Sequence, residues 1–537
     1  MLDQQEPTKA PTSYDTLPPA KARILLVSIL VVALCGIVYE LIIGTVSSYL
    51  LGNSVYQFSL TVGFFMFAMG IGSYLSRFFN SWLIQAFIYV ELILAIVGGI
   101  CSISLFMTFP YAPWIYQTAM LTFILVIGIL VGLEIPLLTR VLADVKGTRD
   151  SISDVMSLDY IGALIGSVAF PLFLLPTLGL ITSSFAIGLI NCLVALINVF
   201  WLRDYLRYPK RLAGLVMLTL ALLIGLTVYA GRITAFAQQH LYFDRIVWEK
   251  QTKYQSLVIT SDWVKHDMRL FIDGHLQFSE TDEHRYHEAL IHPTMSWQGK
   301  RENILILGGG DGLAVREILK YDDVKTIDLV DIDPDMTKLG KGYEPFRRLN
   351  EESLSNPKVT IFNQDAFVFI QHAKKTYDRV IIDFPDPHNE AIAKLYSVEF
   401  YQMVRTRLNS GAVVVSQSSS PFLTKNTFWS IARTMEEIFG PTTNYNIAIP
   451  SFGVWGFNMA FVPDGTKRST ITKMPDSLKF MSNSVFQASK IFPVDIERPE
   501  KLAVNSIFEP DLYKVYLNDL KEGPLGDPRT GFLGLKP

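Results

Sequence analysis

Two carboxylates straddle a proline-stiffened turn in the run Asp383-Phe384-Pro385-Asp386-Pro387. Proline fixes the backbone there, so both acids are presented from a rigid segment. An alkylamine is protonated at neutral pH and has no electron pair with which to attack. A carboxylate that holds the ammonium and accepts its proton makes it a nucleophile. Asp383 is the candidate general base, and Asp386 the candidate anchor for a cationic substrate. A third acid, Asp311, is embedded in the glycine turn Gly308-Gly309-Gly310-Asp311-Gly312. Such a turn lets the backbone approach a nucleoside, with Gly308 and Gly310 as the contact points. The acid inside it places a negative charge where a cationic group could sit. Asp331 lies about twenty residues further on, where an acid can accept both ribose hydroxyls. Asp365 is placed for an adenine amino group. A single Asp at such a position is more often a turn cap, but several in register weaken that reading.

These acids converge only if the chain folds to bring them to one rim. The apolar run 304–307 leads into the glycine turn, and a helix pattern follows at once. Strand-length apolar runs recur at 326–332, 359–362, 379–382 and 412–415, and most end in an acid. Their alternation with helical patterns predicts a doubly wound parallel sheet, Rossmann-like, of the kind that binds S-adenosylmethionine. Ligands of such sheets bind outside the carboxyl ends of the strands. Upstream, 256–261 and 268–273 with the turn pair Asp273-Gly274 predict a small β-hairpin region, and a helix is expected over 282–291.

The first half of the chain is of another kind. Of 537 residues, 18% are charged, below the ~25% of a typical soluble protein, and the deficit falls in 24–230. The polar, proline-containing stretch 1–22 reads as a disordered tail. A spanning helix needs ~20 apolar residues. Seven candidates follow: 24–44, 56–76, 82–107, 114–138, 158–178, 180–202 and 211–230, within a transmembrane domain over 23–232. Lys and Arg flank alternate loops, which places the N-terminus in the cytoplasm of a multi-pass inner-membrane protein. Seven crossings would then put the second half outside, whereas a nucleoside donor is cytosolic, so the side of the active site stays open. Glu40, Glu91 and Glu134 fall within or near the ends of apolar segments, where carboxylates are costly. The net charge of -3, with no basic stripe, gives no reason to expect nucleic acid. Cys35, Cys101 and Cys192 all lie in apolar segments, so the second half has neither a disulfide framework nor a cysteine zinc site. His284, His287 and His292 lack the partners that would complete a metal site.

The glycine turn with Arg316-Glu317, then Val330-Asp331-Ile332-Asp333, Asp365, and Asp383 to Pro387 with Leu395-Tyr396 and Phe400-Tyr401, resemble the spermidine synthases, or polyamine aminopropyltransferases. Tyr254-Gln255, Asp282-Glu283 and Tyr286-His287-Glu288 are similar to that family's lead-in. The likeness covers about 245–465, and the N-terminal spans resemble a bacterial membrane-fused branch. A catalytic domain over 240–465 and a C-terminal extension over 466–537 are expected. The resemblance implies transfer of an aminopropyl group from decarboxylated S-adenosylmethionine, a co-substrate, to a diamine, with putrescine giving spermidine and 5′-methylthioadenosine. It implies no prosthetic group and no metal, because the sulfonium is already a good leaving group. By the family pattern Asp311 holds the amine of the aminopropyl arm, and Gln255, Tyr286 and His287 line the donor and amine sites. Expected partners are the diamine, the lipid bilayer and a second copy of the chain, since soluble members commonly form oligomers. Three positions depart from the pattern: Asp331 replaces a Glu, Phe452 a Tyr, and Ser419 a Glu. The last two fall on the acceptor side.

Two other functions compete. A methyltransferase on the same fold would use S-adenosylmethionine and release S-adenosylhomocysteine. A membrane transporter or sensor would bind polyamine in the second half without turnover.

Overall fold

The computed structural model describes residues 17–51, 54–264, 266–463 and 471–522. The expected tail lies mostly outside the described residues. Helix starts at Pro19, where a missing N–H costs nothing, so 19–22 belong to the first span. The chain divides into two compact units that meet between Leu241 and Tyr242.

The first unit is helical: α1 (Pro19–Leu51), α2 (Ser54–Leu75), α3 (Leu83–Tyr111), α4 (Tyr116–Lys146), α5 (Thr148–Ala169), α6 (Leu175–Trp201), α7 (Pro209–Val228) and α8 (Ala230–Gln239). Among the described residues six helical runs are long and apolar enough to cross a bilayer, against seven expected. The difference lies in α5 and α6, which form one run of 54 residues, Thr148–Trp201. No polar loop separates them, only Gly179 at φ 72°. That one residue reverses the chain. A Cβ on Gly162 would lie 2.2 Å from the Leu30 carbonyl oxygen, and one on Gly166 2.7 Å from that of Leu34, so α5 runs alongside α1 in the same sense. Asn198 then donates to Ser28 Oγ at 2.8 Å, so α6 returns to the end where α1 began. Ser183 Oγ donates to the Leu174 carbonyl at 3.2 Å, closing the reversal.

One end of this bundle collects the cations. Lys21 pairs with Asp204 at 2.9 Å, and Arg140 donates to the carbonyls of Ser76 and Phe79. The α7 helix runs antiparallel to α6, since Cys192 meets Val216 while Gly188 meets Leu223. It therefore ends away from the cationic loops. Glu40, Glu91 and Glu134 are all buried.

The second unit opens with an antiparallel sheet in the order β1 (Arg245–Gln251), β2 (Ser256–Ser261), β3 (Met268–Ile272), β4 (His275–Ser279). The expected hairpin is thus half of a four-stranded sheet. Its outer strand β1 is charged and largely exposed, which hides it from a search for apolar alternation. Asp273 (φ 49°) and Gly274 (φ 80°) form the two-residue link between β3 and β4, the conformation that Asp-Gly favours.

The larger sheet holds β5 (Asn303–Gly308), β6 (Thr326–Asp331), β7 (Val359–Asn363), β8 (Tyr377–Asp383), β9 (Leu408–Gln417), β10 (Thr443–Ile449) and β11 (Gly453–Phe461), in the order β10-β11-β9-β8-β5-β6-β7. The five expected strands are parallel, and β10 and β11 add an antiparallel edge. Ile304, Leu305, Ile306 and Leu307 are all fully buried because both faces of the sheet are covered. Helix α9 (Glu283–Met295) packs on one face beside the short α10 (Leu313–Ile318). Met474, Met481 and Phe486, from the expected extension, complete the same apolar core.

Candidate active site

The sheet order reverses at β5. The chain runs outward to β6 and β7, then crosses to β8 on the opposite side. A crevice opens at the carboxyl ends of the two strands that flank such a reversal. Here β5 ends at Gly308 and β8 at Asp383, which are register partners. Gly308 has φ 89°, and a Cβ there would lie 2.0 Å from the Asp383 carbonyl oxygen. A Cβ at Gly310 would lie 2.4 Å from the Asp331 carboxylate. Only glycine fits at Gly308, and at Gly310 a side chain would displace the Asp331 carboxylate. The turn is thereby held between two acids. Asp331 accepts the N–H of Gly310 at 3.0 Å and that of Asp333 at 2.8 Å. Gly309 sits against Asp383 Oδ2.

A cleft of about 700 Å³ opens over this rim, in the range that holds a nucleoside-sized ligand. The residues expected to catalyse or to bind donor and acceptor all line it: Gln255 beside the small sheet, Tyr286 and His287 from α9, Gly308, Gly310 and Asp311 from the turn, and Asp331, Asp365, Asp383 and Asp386 from the strand ends. Asp365 also caps the helix Ala366–His372 and pairs with Lys394 at 2.9 Å, so part of its charge is already met.

The electrostatics of the rim are unusual. Burial pushes the Asp383 carboxyl up to about 6; Asp311 adds to this, while His287 and the Tyr286 hydroxyl oppose it. Tyr286 donates to Asp383 Oδ1 at 2.5 Å. Burial likewise raises Asp386 to about 6 and Asp331 to about 7, and raises Asp311 above the usual carboxylate range. A cleft lined by acids that are costly to ionise alone gains from receiving a cation.

Beneath the acids lies a charged network. Burial alone would lower His287, but the hydrogen bond and charge of Glu283 more than offset this, and Asp311 and Asp383 add to the rise. His287 Nδ1 lies 2.8 Å from Glu283 Oε2. Arg316 grips Glu283 with two nitrogens, each at 2.9 Å, and donates to Glu317 at 2.8 Å. His292 Nε2 meets the other Glu317 oxygen at 2.8 Å. His287 and His292 are therefore both engaged with carboxylates.

Four side chains steady Asp386 or its turn, and the sequence singles out two of them, Tyr396 in the family motif and Ser419 on the acceptor side. Gln417 donates to the Phe384 carbonyl at 2.6 Å and to Asp386 at 3.3 Å. The Tyr396 hydroxyl donates to the carbonyl of Pro385 at 3.0 Å, holding the same turn. Ser419 Oγ reaches Asp386 Oδ2 at 3.2 Å from a backbone at φ 66°, a strained position for a non-glycine residue. Tyr516 reaches the same oxygen at 3.3 Å. Gln417 closes a predicted strand and could have been found from that. Tyr516 lies in no motif.

The model of the spermine/spermidine synthase domain matches residues 283–470. A polyamine aminopropyltransferase of Leptospira interrogans is 42% identical over 479 residues, covering 88% of this chain and 94% of its own. Polyamine aminopropyltransferase 1 of Streptomyces coelicolor is 42% identical over 489 residues, covering 89% and 91%. A solved spermidine synthase from Thermotoga maritima aligns with 46% of this chain and 85% of its own at 26% identity, with a TM-score of 0.42. The first two alignments extend across the helical half as well as the acid-lined cleft. The chain belongs to the polyamine aminopropyltransferase (spermidine synthase) family.

Proposed function

We propose that the cleft transfers an aminopropyl group from decarboxylated S-adenosylmethionine to a short diamine, with putrescine as acceptor and spermidine and 5′-methylthioadenosine as products. The observation that carries this reading is Asp383, a half-buried acid raised to about 6 in a cleft lined by further acids. Its Oδ1 is engaged by Tyr286, which leaves Oδ2, beside the glycine turn, for the acceptor amine. The amine nitrogen attacks the carbon next to the sulfonium, and the C–S bond breaks. Its electron pair stays on sulfur, giving a neutral thioether, and the nitrogen loses its proton to Asp383. Asp311 holds the ammonium of the aminopropyl arm, Asp331 the ribose and Asp365 the adenine edge. Asp386 receives the far ammonium of the acceptor.

Purified full-length protein given decarboxylated S-adenosylmethionine and putrescine is expected to release methylthioadenosine in proportion to spermidine. Release of S-adenosylhomocysteine from S-adenosylmethionine, without methylthioadenosine, would establish the methyltransferase reading instead.

Membrane orientation is a separate reading, and it puts the second unit on the side away from a cytosolic donor. The cationic end of the bundle is the cytoplasmic one by the positive-inside rule, which puts Pro19 inside. The far end of α7 points the other way. A periplasm-active phosphatase fused after Pro537 is therefore expected to be active. Activity only from a cytoplasmic reporter would reverse the assignment.

A further inference from the structure

The Asp386 end of the cleft is walled by a segment beyond the stretch that the family model matches. The helix Leu512–Glu522 is held by Asp519, which accepts from Asn426 Nδ2 at 2.7 Å and from both the N–H and the hydroxyl of Thr427 at 2.8 Å. Leu512 at its start is fully buried in the apolar core. So anchored, the helix turns Tyr516 and Leu520 into the cleft. These two are four residues apart and share a face.

Tyr516 is 4% exposed, and its hydroxyl donates to Asp386 Oδ2. Ser419 and Gln417 are the other donors to this carboxylate, at 3.2 and 3.3 Å. All three donors are neutral and their bonds are long, and no ion pair reaches Asp386 among the described residues. Its charge is therefore oriented but unmatched, and an arriving ammonium would supply the match. Leu520, one turn beyond Tyr516, presents hydrocarbon to the same space. A second ammonium lying past the first would lose its water there and find no partner.

We propose that the C-terminal helix selects the acceptor amine. Tyr516 is a positioning residue that aims Asp386 at one terminal ammonium, and Leu520 is the wall that limits acceptor length to a short α,ω-diamine. This rests on the aminopropyl-transfer reading above, and it places acceptor choice in the terminal helix.

The test uses full-length wild type, Tyr516→Phe and Leu520→Ala with decarboxylated S-adenosylmethionine. Diaminopropane, putrescine, cadaverine and spermidine serve as acceptors, and methylthioadenosine is measured. Tyr516→Phe is expected to raise the putrescine KM about ten-fold while kcat changes less than about three-fold. Leu520→Ala is expected to raise the ratio of kcat/KM for the longer amines over putrescine about ten-fold. Affinity for methylthioadenosine, read by calorimetry, should stay within about two-fold in both, because the donor side is untouched. An unchanged acceptor profile in both variants overturns the proposal while leaving the transfer reading intact. An equal fall in kcat for every amine marks a merely structural helix and also overturns it. A wild type that releases no methylthioadenosine with any acceptor overturns both readings together.

Discussion

Replacing Asp383 by Asn is expected to lower kcat for methylthioadenosine release by about 10²–10⁴-fold, the range that a general base supplies. The change is nearly isosteric. The amide oxygen can still accept from Tyr286, so the turn should survive and methylthioadenosine should still bind. The wild-type pH profile supplies the second half of this prediction. Asp383 sits at about 6, and only its ionised form can take the proton. The kcat/KM of the wild type should therefore fall by tenfold or more per pH unit below about 6, since Asp386, which receives the far ammonium, also sits at about 6. In Asp383→Asn that acid limb should become shallower, keeping only the part that Asp386 contributes. Wild-type activity that stays level down to pH 4.5, or full activity in the variant, would remove Asp383 from the role of base.

Arg316→Ala should cost about 3–5 kcal/mol of stability, the usual effect of removing one partner from a buried ionic cluster. Arg316 is 8% exposed, while Glu283 and Glu317 are 3% and 1% exposed. The hydrogen bond and charge of His287, joined by those of Arg316, hold Glu283 at about 2 despite a burial effect in the opposite direction. Without the guanidinium two carboxylates remain buried with His287, His292 and Lys320 as their cationic or polar company. The lesion should also reach the cleft, because Glu283 fixes His287 and His287 lies beside Asp311 and Asp383. Denaturant unfolding read by tryptophan fluorescence would measure the loss. A midpoint equal to wild type would mean that the network relaxes around the gap, and would refute its structural weight.

The rim of acids is legible in the sequence because parallel strands buried on both faces read as unbroken apolar runs, and each ends where the chain turns back into water. Asp311, Asp331, Asp365 and Asp383 can be placed from that alone. The partners of Asp386 cannot. Tyr516 lies 130 residues from Asp386, and nothing local in a helix of eleven residues tells which face meets a cleft. The strand β1 is hidden by its own charge. The reversal at Gly179 is legible as a break between two spans. That it needs no polar loop is not, because one glycine at positive φ turns the chain without leaving the apolar environment. Ser419 is a departure from the family pattern in sequence. In space it is one of the three groups that steady Asp386.

Glu288 accepts the backbone N–H groups of Lys479, Phe480 and Met481 at 2.8, 2.8 and 2.7 Å. That carboxylate lies on α9, one residue past His287, and is 1% exposed. Cutting the gene where the match to the family model ends, at 470, would strand it in the interior without those three donors and strip Met481 and Phe486 from the core. A truncated enzyme made that way should precipitate on expression. A laboratory wishing to crystallise the catalytic half should begin near Tyr242 and carry the reading frame through at least Glu522.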